Sequence, residues 1–490
     1  MKTLLGIDLG TTGCKAAIYS PEGDLLGESY LEIPLIKPAP GVVEQDAAQW
    51  WTLTEEAIRR ALLSAGVDGR TVQALSVSSQ GISFVPVDEE GHPLSNAINW
   101  LDTRATAEAE TILSRFSEAG LFTLTGKRAS PAYVLPKLLW LRGHQPDRYR
   151  RTHKFLMAHD YLLFQFSGQF VTDPTMASGT LLHDVAHPGW SAELIEAFDI
   201  AVGQLPGIKR SGTSLGTIRP EVAKALGLNE KAIVVVGGQD QKCAALGARI
   251  RPGAATVSLG TASAISCLVD RPLIDPERRI PLFPFLVPDT WDLEGVVGTA
   301  GGAFRWLRET LFPDTSYKTL DEMAAHSSPG ANGVCFYPHL SGAGSPHWRV
   351  DVWGAFLGLT LAAGPGDLVR SVLEGVAFQI RANLEVLESL GIAIEELILS
   401  GGGAHSSLWP RIISDVTGKP VGIAESADVA TWGACILAGI GAGLLTEDDL
   451  EQRTIRAKSS HFSSQSECLG CYEEIYHRYR IQEEKLMREA

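Results

Sequence analysis

The 490-residue chain carries 42 Lys plus Arg against 57 Asp plus Glu, a formal net charge of −15, which repels a phosphate backbone and makes nucleic acid an unexpected partner. With 45% hydrophobic and 20% charged residues it has the composition of an ordinary globular protein of roughly two to four domains. Its 50 glycines gather beside short apolar runs, where backbone turns can cradle phosphates. The opening segment MKTLLGIDLG is interrupted by Asp8 and is too short for a signal peptide or membrane anchor, so the cytoplasm is the expected compartment. An odd number of scattered cysteines argues against a disulfide framework. Cys468 and Cys471 have no second pair with which to hold zinc and read as ordinary thiols near a C-terminal helix.

In chain order, Thr3 to Ile7, Lys15 to Tyr19 and Leu25 to Tyr30 are strand-like runs broken by Gly10-Thr11-Thr12-Gly13 and Pro21-Glu22-Gly23, an opening β-meander. A helix is expected from Gln45 to about Ala65, then a strand over Val72 to Val77 and another within Gln80 to Val87. Residues 103–171 are mostly helical in pattern and are expected to cap the first sheet as an insertion. Ile233 to Val236 is a strand feeding a helix that runs to about Ala248. A second unit begins near residue 245: strands Thr256 to Leu259 and Ala264 to Val269 flank Gly260-Thr261 and echo the chain's opening, which suggests internal duplication. Leu368, Val369, Val372, Leu373, Val376, Ile380, Leu384 and Leu387 mark an amphipathic helix with Arg370, Glu374, Arg381 and Glu385 on its other faces. It leads to the strand Leu397 to Leu399, then Gly401-Gly402-Gly403 and a helix from about Ser406. Val429 to Leu445 is too short and glycine-rich for a membrane span and reads as a buried helix capped by Asp428. Glu473 to Arg488 is a charged amphipathic helix expected to dock on the second unit.

The chemistry-bearing residues sit at the glycine turns. Asp8 ends a strand where Gly10, Thr11 and Thr12 present N–H and hydroxyl donors, and an acidic side chain there makes sense if Mg²⁺ lies between it and a phosphate. Lys15 is near enough to add positive charge. The plainer reading of a Gly-Thr-Thr turn is a hairpin, and the second copy at Gly260-Thr261 speaks against it. Asp240 stands in the first turn of a helix after Gly237 and Gly238, where a carboxylate is either a cap or a proton acceptor. The Gly401 to Gly403 turn can lie flat against a planar or anionic ligand, whereas His405 reads as a surface or cap histidine. Trp100, Asp102 and Arg104, with Gln80, either line a sugar pocket or are core packing plus an ordinary ion pair.

Together these motifs resemble the FGGY family of carbohydrate kinases within the actin-like ATPase superfamily, nearly end to end. The stretch Gly354-Ala-Phe-Leu-Gly358-Leu359 through Asp367-Leu368 to Ser371-Val372-Leu373-Glu374 is similar to the family's C-terminal signature. Gly6-Ile-Asp8-Leu-Gly10-Thr11-Thr12 and Ser258-Leu-Gly260-Thr261 are similar to its two phosphate loops. The N-terminal signature is only loosely present around Lys137 to Trp140, since Ala132 and Val134 depart from it.

The resemblance implies an α/β fold of two actin-like (ribonuclease H-like) domains, residues 1–245 and 246–490, each with a β-meander and helix core, around a cleft. It implies ATP and Mg²⁺ as cofactors and a small-molecule sugar substrate, with neither nucleic acid nor membrane as partner and with a homodimer as the assembly. Asp240 would be the catalytic base and, with Asp8, would lie near the metal. Thr11, Thr12, Lys15, Gly260 and Thr261 would hold phosphates, Gly302 and Arg305 would flank the nucleotide, and Gly402, Gly403 and Ser407 would lie along the adenosine. Gln80, Trp100, Asp102 and Arg104 would meet the sugar.

Glycerol kinases resemble one another in an Arg-Glu pair after the Gln matched by Gln80, where this chain has Gly81-Ile82. The Met-His of xylulokinases is missing too, yet Val43 to Trp51 and Trp100 to Arg104 are xylulokinase-like. The expectation is phosphorylation of a ketopentose such as D-xylulose. The alternatives are a kinase for another polyol, aldonate or ketose, a silent nucleotide-gated regulatory protein, or a polymerising actin-like protein.

Overall fold

The computed structural model describes residues 2–187, 189–424, 428–446, 462–463 and 466–489. In the first half, β1 (Thr3–Leu9), β2 (Gly13–Tyr19) and β3 (Leu25–Glu32) form an antiparallel meander. Helix α1 (Ala47–Ala65) follows, opened by the Asp46 carboxylate accepting from Ala48 N and closed by Gly66 at φ 64°. Trp50, Thr54, Ala57, Ile58 and Ala61 recur on one face of α1 and are buried, so this helix seals the meander. β4 (Val72–Ser79) and β5 (Ile233–Gln239) add parallel to β1, and α2 (Asp240–Gly247) starts where β5 stops.

In the second half, β6 (Ala254–Ser258), β7 (Ser263–Val269) and β8 (Trp291–Val297) are again antiparallel. After α3 (Gly301–Leu311) and α4 (Pro365–Ser389), β9 (Glu396–Ser400) and β10 (Val421–Ile423) add parallel to β6. The shared strand order is therefore β3-β2-β1-β4-β5 in one half and β8-β7-β6-β9-β10 in the other. Each sheet gains one edge strand, Ser214–Thr217 in the first and Leu282–Pro284 in the second. The expected duplication is present at the level of strand order, and each Gly-Thr turn joins the first two strands of its sheet.

Residues 106–167 are largely helical, as their pattern predicts, with a core of Ile112, Leu121, Leu135, Leu138 and Leu141. They also contribute Lys154–Met157 to a separate five-stranded sheet that contains Phe84–Val87. The strand in the Gln80 to Val87 run starts only at Phe84, because the chain turns at Ile82, which has φ 55°.

Two further elements set how the halves meet. Helix α5 (Val429–Gly441), capped by Asp428 through Thr431 N, packs on β1, β4, β5 and α2 of the first half. Helix α6 (Ser466–Glu489) docks on α4 of the second half through Tyr472, Tyr476 and Tyr479. Cys471 is exposed on α6, while the Cys468 side chain lies outside the described residues. Among the described residues, no helix is long and apolar enough to cross a membrane.

The amphipathic reading of α4 is corrected at Arg370 and Glu374, which are 7% and 2% exposed. Helices cover α4 on the side away from the sheet, so its polar side chains pair inside the protein: Arg370 Nε donates to Glu374 Oε1 at 2.7 Å, and Tyr472 Oη donates to the same oxygen at 2.7 Å.

Candidate active site

The parallel strands of each sheet deliver their loops to one end, the position at which open α/β sheets bind ligands. At the end of β1, Gly10 N donates to Gly13 O at 2.9 Å and closes the first turn, leaving Thr12 exposed and Thr11 half-buried. Gly260 and Thr261 form the matching exposed turn after β6. A Cβ at Gly10 or Gly260 would meet nothing nearer than 3.4 Å or 3.5 Å respectively, so both turns have open space beside their backbone.

Helix α3 is tied to the second turn. Gly301 N donates to Gly260 O at 2.7 Å, Gly302 N to Thr261 O at 3.0 Å, and the Arg305 guanidinium to Thr261 Oγ1 at 3.3 Å. The Gly401 to Gly403 turn lies against the same strand end: Gly403 N donates to Leu259 O at 3.0 Å, and Gly401 has φ 82°. Gly402 is exposed, and a Cβ there would meet nothing within 4 Å. Ser407 is engaged by a residue the sequence reading missed, since its N–H and hydroxyl both donate to Asp321 Oδ2, at 2.9 and 3.3 Å. A short Gly402–His405 helical turn precedes the helix, which starts at Trp409 instead of the expected Ser406.

Asp8 and Asp240 stand at the ends of β1 and β5, both only partly exposed. Burial first, then repulsion by Asp428 and Asp240, pushes the Asp8 carboxyl up to about 8, although Ser78 Oγ donates to it at 2.6 Å. Burial and the Glu294 carboxylate push Asp240 up to about 7, against a bond of 2.7 Å that its Oδ1 accepts from Gln241 N. Gly237 and Gly238 open no room for a ligand: a Cβ at Gly237 would collide with the Val77 carbonyl and one at Gly238 with Leu286. Their role is close packing of β5. Lys15, read as a phosphate ligand, is ion-paired with Asp428 at 2.7 Å, a partner more than four hundred residues away that the local motif cannot reveal.

The sugar quartet divides. Gln80 belongs to a buried amide network in which its Nε2 donates to Gln45 Oε1 at 2.9 Å and its Oε1 accepts from Asn99 Nδ2 and Ser83 Oγ at 3.1 Å each. Gln45 Nε2 reaches Thr11 O at 2.8 Å, and Trp100 Nε1 donates to Thr11 Oγ1 at 2.8 Å, so this wall touches the first turn directly. Asp102 is fully buried and accepts from Val43 N at 2.7 Å and from the Arg104 guanidinium at 2.7 Å. Arg104 also pairs with Glu44 at 2.7 Å and lies over the Trp140 ring. The Asp102 carboxylate is therefore fully engaged, and Arg104 is tied into the wall through Nε and Nη2. Glu44 and Asn99, which complete it, carry no local signal in the sequence.

Two copies of one sheet, each with a Gly-Thr turn at the ligand end and with a carboxylate at the head of the helix between them, define an actin-like phosphotransferase. The chain belongs to the FGGY family of carbohydrate kinases, whose N-terminal domain model matches residues 3–247 and whose C-terminal domain model matches residues 255–442. It is 32% identical over 440 residues to a xylulose kinase of Escherichia coli K12, covering 89% of this chain and 90% of that protein. Among solved structures, a ligand-bound xylulose kinase and a gluconate kinase, both from Lactobacillus acidophilus, each superpose with a TM-score of 0.92 at 26% identity. These cover 99% of this chain in both cases, and 99% and 98% of those chains. The protein is an ATP-dependent sugar kinase, a phosphotransferase with an alcohol group as acceptor.

Proposed function

We propose that this kinase transfers the γ-phosphate of ATP to a hydroxyl of a ketopentose such as D-xylulose, with Asp240 as general base. The observation that carries the base assignment is the place of Asp240 at the head of α2, near enough to Asp8 at the end of β1 to raise its carboxyl, and with its own carboxyl pushed up to about 7. Beside it stands Gln241, whose Oε1 accepts from Ser258 Oγ at the end of β6 at 3.5 Å. Phosphoryl transfer needs positioning, charge neutralisation and one proton acceptor. A carboxylate that titrates near pH 7 is well matched to taking a proton from a hydroxyl.

The backbone and hydroxyls of Thr11, Thr12, Gly260 and Thr261 would hold the phosphates, with Gly302 and Arg305 beside them and Gly402, Gly403 and Ser407 along the adenosine. Asp428 and Asp240 both raise the proton affinity of Asp8, and Lys15 is committed to Asp428, so this acidic seam fits a divalent cation. Asp8 and Asp240 would hold Mg²⁺, which would supply positive charge to the phosphates. Residues 1–245 would carry the sugar wall and the base, and residues 246–490 the nucleotide shelf. Cytoplasmic localisation and a homodimer complete the proposal.

A neutral sugar suits the Trp100 wall better than an aldonate. Arg104 is held by Asp102 and Glu44, and the buried Lys137 ammonium donates to Asn99 O at 2.8 Å and Ala132 O at 2.6 Å. Both basic side chains are drawn into the wall, which leaves less positive charge to meet a substrate carboxylate. ATP-dependent ADP release across pentuloses, hexuloses, polyols and aldonates tests the assignment: D-xylulose or a close ketopentose is expected to give the highest kcat/KM. Faster turnover of gluconate would transfer the assignment to the aldonates, as one of the structural relatives would have it.

Two further outcomes follow from the geometry. Burial raises Asp240 to about 7 in the metal-free site, and Mg²⁺ held beside it would pull that value down. A base must be ionised to accept a proton, so kcat/KM for the sugar is expected to fall roughly tenfold per pH unit below a midpoint that lies at or below about 7 and moves down as Mg²⁺ is raised. A profile flat from pH 5 to 8, the behaviour of an unshifted aspartate, would show that the working site holds this carboxylate ionised, and would leave the base assignment to the Asp240→Asn variant alone. Gly402→Val adds its side chain to open space, so the protein should melt as wild type does while KM for ATP rises about tenfold or more, some 1.4 kcal/mol of lost binding. Unchanged KM for ATP would move the adenosine elsewhere.

A further inference from the structure

Lysine is almost never fully buried unless it is paired, yet two buried lysines meet where the halves join. Lys242, on the first turn of α2, is 0% exposed and donates to Asp292 Oδ2 and Glu294 Oε2, each at 2.6 Å. Both carboxylates stand on β8 of the second sheet. Lys127, also 0% exposed, comes from the helical insertion and donates to Thr125 O at 3.1 Å, Ser178 Oγ at 2.5 Å and, in the second half, Leu282 O at 3.1 Å. The two Nζ atoms lie 3.9 and 4.1 Å from the centre of the Phe283 ring. Side chains of the first half thus grip the β8 hairpin at two points.

The grip on β8 reaches the second phosphate-type turn. Asp292 accepts from Ser266 Oγ at 3.1 Å and from Cys267 N at 3.1 Å, both on β7, and β7 begins directly after the Gly260 to Ala262 turn. One rigid path therefore runs from the head of α2 through Lys242 and Asp292 to the strand that carries the turn. We propose that Lys242, with Asp292 and Glu294, is a positioning residue of the transfer reaction, fixing the carboxylate of Asp240 relative to the second phosphate turn. The proposal rests on the reading of Asp240 as base. A shift of about 1 Å between reacting groups is enough to cost about a hundredfold in rate without touching ligand binding, so the loss should appear in kcat.

Removing Lys242 alone strands two buried carboxylates and destabilises the fold, so Lys242→Met is not informative by itself. The double variant Lys242→Met/Glu294→Gln leaves one carboxylate, Asp292, with its bonds from Ser266 and Cys267. It is expected to recover most of the melting temperature lost in the single variant, with kcat still down about tenfold or more and KM for ATP and sugar within about threefold of wild type. Recovery of kcat together with stability would overturn the proposal and leave the cluster structural. Should the double variant fail to fold, Asp292→Asn is the fallback, since an amide oxygen can still accept from Cys267 N. A kcat down about fivefold or more at unchanged KM supports the proposal, and an unchanged kcat overturns it. Asp240→Asn in parallel separates the two readings: a fully active Asp240→Asn enzyme refutes the base and this proposal with it, whereas an impaired Asp240→Asn beside Lys242 variants of unchanged kcat overturns positioning alone. The kcat values are compared on the pH plateau, since Lys242 and Glu294 also act on the Asp240 charge.

Discussion

Asp240→Asn is expected to lower kcat by about 10²–10⁴, the range that a positioned general base contributes, while the protein still binds ATP and melts as wild type does. The substitution keeps shape and the acceptor for Gln241 N, which now bonds Oδ1 at 2.7 Å, so what is lost is proton affinity. Steady-state kinetics at saturating ATP and sugar, beside calorimetric ADP affinity, provide the check. A variant within about tenfold of wild type would reject the base. A deficit that disappears as Mg²⁺ is raised would show that Asp240 acts chiefly by holding the metal.

Glu374→Ala is expected to cost about 3–5 kcal/mol of stability, the penalty for removing one member of a buried ion pair. Glu374 accepts from Arg370 Nε and Tyr472 Oη, each at 2.7 Å, and from Gly330 N at 3.0 Å. Without it the Arg370 guanidinium stays buried, with only Tyr472 Oη and the carbonyls of Ala324 and Ser327 as partners. Urea unfolding should show the loss, and Arg370→Met added to Glu374→Ala should return much of it, because the stranded charge is then gone. Specific activity per folded molecule should stay near wild type. The motif ending in Glu374 would then owe its form to packing of the second half, and a large drop in activity of the folded variant would instead place it in the transfer machinery.

The difference between what these residues suggest in sequence and what they do in space follows a physical pattern. Strands β1, β2, β6 and β7 were legible because short apolar runs interrupted by Gly-Thr pairs leave few other arrangements, and the duplication followed from their spacing. Asp8, Asp240 and the two turns could be named because each lies where a strand ends. Side chains that depend on distant partners could not be read in this way. Asp102 and Arg104 look like a free polar pair until Val43 and Glu44 close on them, and Lys15 looks free until Asp428 arrives from the other end of the chain. The wheel of α4 predicts its apolar stripe, with Arg370 and Glu374 on other faces, but not that α6 covers them there. Lys242 has partners 50 and 52 residues away, on a strand whose local pattern shows only alternation.

Helix α5 belongs to the end of the sequence and to the sheet at its beginning. Gly6, Gly247 and Gly433 make that possible, since a Cβ at any of them would collide with the Thr431, Val429 or Cys243 carbonyl respectively. Backbone thus lies on backbone, and Cys435, Ile436 and Ala438 complete the apolar layer with Leu4, Tyr19 and Ala74. During synthesis the first sheet therefore has one face uncovered until residue 441 has left the ribosome, long after its own strands can pair. A nascent chain halted at residue 245 would present that face to chaperones or to other nascent chains. A gene fragment encoding only the first half should accordingly yield an aggregating product, and adding the α5 peptide in trans is the natural remedy to try.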